Sequence, residues 1–297
     1  MTGTDTGVDA VTRVFRDAGV VGRLHAMDID TGRDIGVGAD DPVVLASVYK
    51  VPLLVAFFRQ AAADVLDPTE AVTLRAADRS DGPTGVAILL DDVTMSLRDL
   101  AAFMITVSDN AAADAVFART GADAVNAACA ALGLTATRID SDSRALHDSL
   151  LAESNSVGLA DLWVRLAEPG MRERLSALDP ARTNRSTPRD MTRLLRTIWH
   201  DEAAPPEECA LMRRMLGLQV WPHRLAAGFP YDDIWVSGKT GTLPTIRNEI
   251  GVVEYPDGSR YAVAVFTRST SLAALQPQAD AAIGTAARLA VQQLRSA

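Results

Sequence analysis

A chain of 297 residues, 48% of them hydrophobic, can bury a substantial core, which excludes an extended disordered protein and fits one large domain or two closely packed subdomains. The formal charge of -9, from 29 basic and 38 acidic residues, and the lack of any dense Lys/Arg block argue against a nucleic-acid partner and leave a small organic molecule as the default ligand. No apolar stretch reaches membrane-spanning length, and the polar start from Met1 to Ala10 lacks a basic region followed by an apolar run, so no membrane partner and a cytoplasmic location are expected.

In chain order, Val8 to Ala18 carries apolar residues at helical spacing and stops at Gly19, and Gly22 to Ile29 then alternates as a strand does. Thr31-Gly32-Arg33-Asp34 supplies a hairpin turn before a second strand, Ile35 to Val37. From Ser47 onward helical spacing dominates. Ser47 to Ala62, Leu97 to Val107, Ala111 to Arg119, Asp123 to Leu132, Gly158 to Ala167, Pro188 to Trp199 and Pro206 to Leu216 read as helices punctuated by Gly and Pro. Strand character returns in Trp235 to Lys239, Glu249 to Tyr255 and Tyr261 to Thr267, the last two joined by a Pro256-Asp257-Gly258 turn, and Gln276 to Leu294 closes the chain as an Ala-rich helix. Strands at both ends of the sequence imply a five-stranded antiparallel sheet flanked by the terminal helices, with an all-helical insert between its halves. The expected organisation is one α+β domain in two parts: an α/β subdomain from residues 1–46 plus 221–297 and a helical subdomain from 47–220. The cleft between them is where a pocket would form.

Three short strings carry chemistry: Ser47-Val48-Tyr49-Lys50, Ser108-Asp109-Asn110 and Lys239-Thr240-Gly241. A serine three residues before a lysine on one helical turn puts hydroxyl and ammonium on the same face, where a neutral lysine can accept the hydroxyl proton and activate a nucleophile. Lys50 runs into Val51-Pro52-Leu53-Leu54, a setting that buries it and so lowers its pKa. Ser108-Asp109-Asn110 ahead of three alanines also reads as a helix cap.

The three strings in this order resemble the signature of the class A β-lactamases and penicillin-binding proteins, S-x-x-K with S-D-N and K-T-G. The resemblance runs from about Ala10 to the C-terminus and is weakest between Asp140 and Pro188. It implies a β-lactamase/transpeptidase-like fold and a serine hydrolase acting on an amide or ester through an acyl-Ser47 intermediate. In that reading Lys50 is the base, Ser108 passes a proton to the leaving group, Asn110 holds the substrate amide, and Asp109 turns inward to fix its loop. Lys239 supplies positive charge, Thr240 binds a substrate carboxylate, and Gly241 allows close approach. The backbone N–H groups of Ser47 and Thr242 form the oxyanion hole. Arg247, with Arg268 nearby, is a candidate anchor for the carboxylate.

The chain departs from that pattern where the family places a glutamate, followed by an asparagine, to activate the deacylating water. Ser143 falls at the glutamate and His147 at the asparagine. Asp142, one place earlier, His147, and Glu153 after a rebuilt loop are the possible deacylation bases. Efficient penicillin hydrolysis is therefore not expected. A cytoplasmic esterase, peptidase or transacylase of small-molecule biosynthesis is one alternative, and a penicillin-binding protein that traps an acyl group without releasing it is another. Cys129 and Cys209 are expected as buried free thiols, and without a Cys-x-x-Cys or His-rich pattern no metal or other cofactor is expected.

Overall fold

The computed structural model describes residues 7–296. Met1 to Thr6, part of the start on which the expected location rests, lies outside the described residues. Helix α1 (Gly7–Asp17) buries Val11 and Phe15, one turn apart, and Gly19, at φ 67, turns the chain into strand β1 (Val20–Asp28). Asp28 Oδ1 accepts the N–H groups of Asp30 and Thr31, closing the hairpin to β2 (Asp34–Val37). After β3 (Val43–Val44) a 3-10 turn (Ala46–Tyr49) leads into α2 (Lys50–Ala62). Next come β4 (Ala71–Leu74), β5 (Val93–Ser96), α3 (Leu97–Thr106), α4 (Asn110–Thr120) and α5 (Ala122–Ala131). The chain continues through α6 (Ser143–Ser154), α7 (Leu159–Arg165), α8 (Met171–Arg174), β6 (Arg185–Ser186), α9 (Pro188–Trp199) and α10 (Pro206–Gly217). It ends with β7 (Trp235–Leu243), β8 (Ile246–Glu254), β9 (Arg260–Ser269) and α11 (Pro277–Ser296).

The five-stranded sheet runs β2-β1-β9-β8-β7, antiparallel throughout, so the two ends of the sequence meet where β1 pairs with β9. Alternation along β9 explains how both faces are covered. Val263 and Val265 pack with Val11, Phe15, Ile283 and Val291 of the terminal helices, while Ala262, Ala264 and Phe266 join the core that contains Leu53, Met191 and Leu195. Helix α2 is the centre of that second core, buried without a break from Lys50 to Phe58. A helix apolar on every side belongs inside a protein, and Lys50 enters with it. A third, smaller cluster gathers Leu150, Leu162, Leu166, Leu175 and Leu178 under Val44 and Ile246, so the long segment after α5 has a core of its own.

The insert is not all-helical: β4 pairs with β5 inside it, and its β6 pairs with β3 of the preceding segment. Pieces of two and four residues are too short to display a period of two in the sequence; the β4–β5 pair Thr73 and Thr94 adds a cross-strand hydroxyl bond of 2.8 Å. Strand β7 runs four residues past Lys239 because Thr240 to Leu243 pairs with Ile246 to Glu249, although Thr-Gly-Thr lacks alternation. Cys129 and Cys209 are buried free thiols. Among the described residues no helix is long and apolar enough to cross a membrane.

Helix α11 crosses the turn at Ala226–Gly228 through facing glycines. A Cβ on Gly228 would stand 2.1 Å from the Gly284 carbonyl oxygen, and one on Gly284 would stand 2.4 Å from that of Arg224. Gly284→Ala is therefore expected to lower unfolding stability by about 1–3 kcal/mol, the usual range for overpacking. Urea unfolding of the two proteins measures it, and equal stability would contradict the contact.

Candidate active site

The turn that presents Ser47 is held from below and from the side. Ala46 takes φ 48, a left-handed conformation that a residue with a side chain keeps only when its surroundings enforce it. Those surroundings are β8, where Asn248 Nδ2 donates to the carbonyls of Val44 at 2.9 Å and Leu45 at 3.3 Å, and β7, whose Gly241 lies against the turn. A Cβ on Gly241 would sit 2.7 Å from Leu45 O and 3.1 Å from a methyl of Val48, so only glycine permits this approach. The segment read as one helix from Ser47 divides accordingly into the 3-10 turn and α2. Pro52 stands in the first turn of α2, where its missing N–H breaks no bond. Ser47 is half-buried, and no hydrogen bond to its hydroxyl is found among the described residues.

Two lysines converge on Ser108. Lys239 Nζ donates to Ser108 Oγ at 2.8 Å and to Thr240 O at 2.8 Å. Lys50 Nζ donates to Ser108 O at 2.8 Å, Asn110 Oδ1 at 2.9 Å and Asp109 O at 3.3 Å, with Ser108 Oγ at 3.5 Å. Both lysines are fully buried. Loss of hydration penalises each ammonium and pushes the pKa of Lys50 down to about 7, against the opposing fields of Asp109 and Asp114. The same burial, with the neighbouring Lys50 charge, lowers Lys239 well below the ordinary lysine range. Ser108 adopts φ 61, which aims its carbonyl at Lys50 while its hydroxyl meets Lys239. Asp109 is fully buried and caps α4: its Oδ1 accepts from Ala112 N at 3.2 Å and its Oδ2 from Val86 N at 2.6 Å. Asn110 is fixed on its other side by donating Nδ2 to Asp81 O at 3.0 Å.

The two arginines expected as carboxylate anchors stand elsewhere than the sequence reading placed them. Arg247 is 3% exposed, and its guanidinium donates to the carbonyls of Leu243, Ile246 and Ala274 at 3.0, 2.8 and 2.8 Å, clasping the β7–β8 turn. These bonds, not a substrate, occupy it. Arg268 stands exposed at the end of β9, opposite Val21 and away from Lys239. The cation beside the K-T-G strand is Arg224, whose Nη2 donates to Thr242 Oγ1 at 2.9 Å and whose Nη1 donates to Gly241 O at 3.1 Å and Asn248 O at 3.0 Å. Asp280 of α11 holds its Nε at 2.6 Å. Arg224 lies outside the three strings, and nothing near it in the sequence hints that it reaches a strand.

Where a loop was expected after Asp142, α6 begins. Asp142 caps it, its Oδ1 accepting from Ala145 N at 2.8 Å. Ser143 Oγ meets the buried Tyr49 hydroxyl at 2.8 Å, and the Ser143 N–H donates to Asp114 Oδ1 at 2.8 Å. Asp114 also accepts from Ser80 Oγ, and burial raises its pKa. Glu153 accepts from Ser176 N at 2.5 Å and pairs with Arg182 at 3.3 Å, tying α6 to the segment after α8. Both carboxylates among the candidate bases are thus engaged in building α6. His147 keeps a buried Nε2 without a hydrogen-bond partner among the described residues.

Residues 8–294 match the model of a family described as the Beta-lactamase enzyme family. The chain is similar to the Beta-lactamase regulatory protein BlaB of Streptomyces cacaoi, at 31% identity over 97% of this chain and 98% of that protein. A solved β-lactamase from Sphaerobacter thermophilus is 27% identical, covers 99% of both chains and superposes with a TM-score of 0.78. PBP-A, in a mutant solved as its acyl-enzyme complex with penicillin-G, shares the fold at 21% identity and a TM-score of 0.78, covering 98% of this chain and 97% of that one.

Gly241→Ala is expected to push β7 off the Ser47 turn and to cut acylation by a β-lactam or activated ester about 100-fold, as a misplacement of about 1 Å can. Stopped-flow acylation of the folded variant measures the loss, and a wild-type rate would contradict the packing.

Proposed function

The chain belongs to the beta-lactamase enzyme family, and from that premise we propose that it forms a covalent acyl-Ser47 adduct with a carboxylate-bearing amide or ester, a β-lactam among them, and releases it slowly. The observation that carries this reading is the pair of buried lysines meeting at Ser108 beside a serine turn that β7 holds by direct contact. Neutral Lys50 accepts the Ser47 hydroxyl proton as Oγ attacks the carbonyl carbon. The proton then passes by way of Ser108 to the leaving nitrogen or oxygen as its bond to that carbon breaks. The N–H groups of Ser47 and Thr242 receive the oxyanion, while Thr240, Thr242 and the Lys239 ammonium receive the substrate carboxylate, with Arg224 bracing Thr242.

The second half of the cycle needs a base for water or for another acyl acceptor. Ser143 bonded to Tyr49 cannot act as the family glutamate does, and Asp142 and Glu153 are held by backbone N–H groups. His147 is the remaining candidate. Slow release favours a role in which the adduct itself is the output, as suits a protein similar to one named a β-lactamase regulatory protein. A cytoplasmic esterase, peptidase or transacylase working on a better acceptor than water remains the alternative within the same chemistry.

A fluorescent penicillin is expected to label the protein at Ser47, Ser47→Ala to abolish the label, and the adduct to turn over far more slowly than the roughly 10 per second of a median enzyme. Labelling that survives Ser47→Ala sinks the proposal, and fast turnover sinks the slow-release half. Because Lys50 acts as the neutral amine and its pKa lies at about 7, acylation should rise as pH climbs through that value. Lys50→Arg keeps the charge but removes the base, with an expected loss of about 10²–10⁴-fold. Lys239→Arg keeps the field and should lose much less. Single-turnover acylation compares them, and equal losses would assign proton abstraction to another group.

A further inference from the structure

Behind the strand that carries Lys239 lies a carboxylate that the acylation chemistry leaves unused. Glu249 pairs with Thr240 across β7 and β8 and is 1% exposed. Both of its oxygens are occupied: Oε1 accepts from Gln219 Nε2 at 2.7 Å and Oε2 from Leu225 N at 2.7 Å. Two donors and no acceptor suit an ionised carboxylate. The amide so oriented turns Gln219 Oε1 to the Thr240 N–H at 2.6 Å. Gly238 leaves the space for this arrangement, since a Cβ there would lie 3.0 Å from Glu249 Oε1.

Lys239 needs such a neighbour. Its hydrogen bonds go to neutral oxygens of Ser108 and Thr240, and Lys50 presents a second ammonium to the same serine. Of the charges acting on Lys239, Lys50 and Arg224 oppose its proton and Glu249 favours it. The charged groups facing Glu249 are Arg224 and Lys239, both cationic. We propose that Glu249 is a positioning residue of the acylation site: through Gln219 it fixes the backbone of Thr240, and through its charge it keeps Lys239 an ammonium facing Ser108 while Lys50 gives up its proton. This inference rests on the acyl-Ser47 reading and assigns what divides the labour between the two lysines. Burial raises the Glu249 pKa to about 7, so below that pH the carboxylate neutralises and the support is withdrawn.

Glu249→Gln keeps shape and removes the charge, whereas Gln219→Ala removes the bond to Thr240 and keeps the charge. Single-turnover acylation by a chromogenic cephalosporin across pH is expected to fall about 10–100-fold in Glu249→Gln, with the limb where Lys239 loses its proton moved down by about one pH unit. Gln219→Ala should lose rate with the limb in place. A Glu249→Gln variant with the wild-type rate and the wild-type limb overturns the proposal. Carboxyl ¹³C NMR gives an arm that needs neither acylation nor a Glu249 variant. The Glu249 midpoint should lie near 7 in the wild-type protein and rise in Lys239→Gln, and a midpoint unmoved by that substitution overturns the pairing. A wild-type protein that never acylates contradicts the acyl-Ser47 reading, and the NMR result still decides the Glu249–Lys239 coupling.

Discussion

Two lysine ammoniums taken out of water and aimed at one serine are the constraint around which this protein is arranged. Lys50 and Lys239 are both fully buried; desolvation lowers the pKa of both, and the Lys50 charge lowers that of Lys239 further. The fold answers with oxygen atoms and distant negative charge rather than with direct ion pairs. Lys50 receives the carbonyls of Ser108 and Asp109 and the Asn110 amide oxygen, while Asp109 and Asp114 act on it by field. Burial still brings the pKa of Lys50 to about 7, and its charge weakens the hold of Lys239 on its own proton. That is the condition under which a lysine can serve as a base.

Keeping two such groups buried requires a rigid surround, and the rigidity comes from contacts that cross the chain. The Ser47 turn is wedged between the side chain of Asn248 and the bare Cα of Gly241, so its left-handed Ala46 is enforced by β7 and β8. Asp109 performs the same service for Ser108, drawing the Gly85–Val86 turn and the start of α4 onto one carboxylate. Arg224 and Asp280 link β7 to the last helix, which connects the Thr242 side of the cleft to the terminal core. The geometry around Ser47 and Ser108 and the packing of the whole fold therefore share the same set of bonds.

Much of the frame was legible in the sequence. Strands β1, β8 and β9 carry alternation or continuous apolar runs, α9 begins with Thr187 as cap and Pro188 at its first position, and Lys50, Ser108 and Lys239 of the three motifs come together through hydrogen bonds. The illegible parts depend on contacts between segments far apart in the chain. Helix α6 is polar for most of its length and is stabilised by Asp142, Asp114 and the small cluster around Leu150, so its own periodicity does not announce it. Arg247 and Arg224 have equal claims as isolated cations, and only the β7–β8 turn and Asp280 decide which one braces Thr242. Gln219 and Glu249 carry no motif, and their connection exists only once β8 lies beside β7.

The most direct test is a crystal structure of the protein after reaction with a carboxylate-bearing β-lactam. The account predicts continuous density from Ser47 Oγ to the acyl carbon, its carbonyl oxygen between the N–H groups of Ser47 and Thr242, and the carboxylate against Thr240, Thr242 and the Lys239 ammonium. A ligand bonded to any other residue, or an acyl-Ser47 whose carboxylate points away from Lys239, would contradict it.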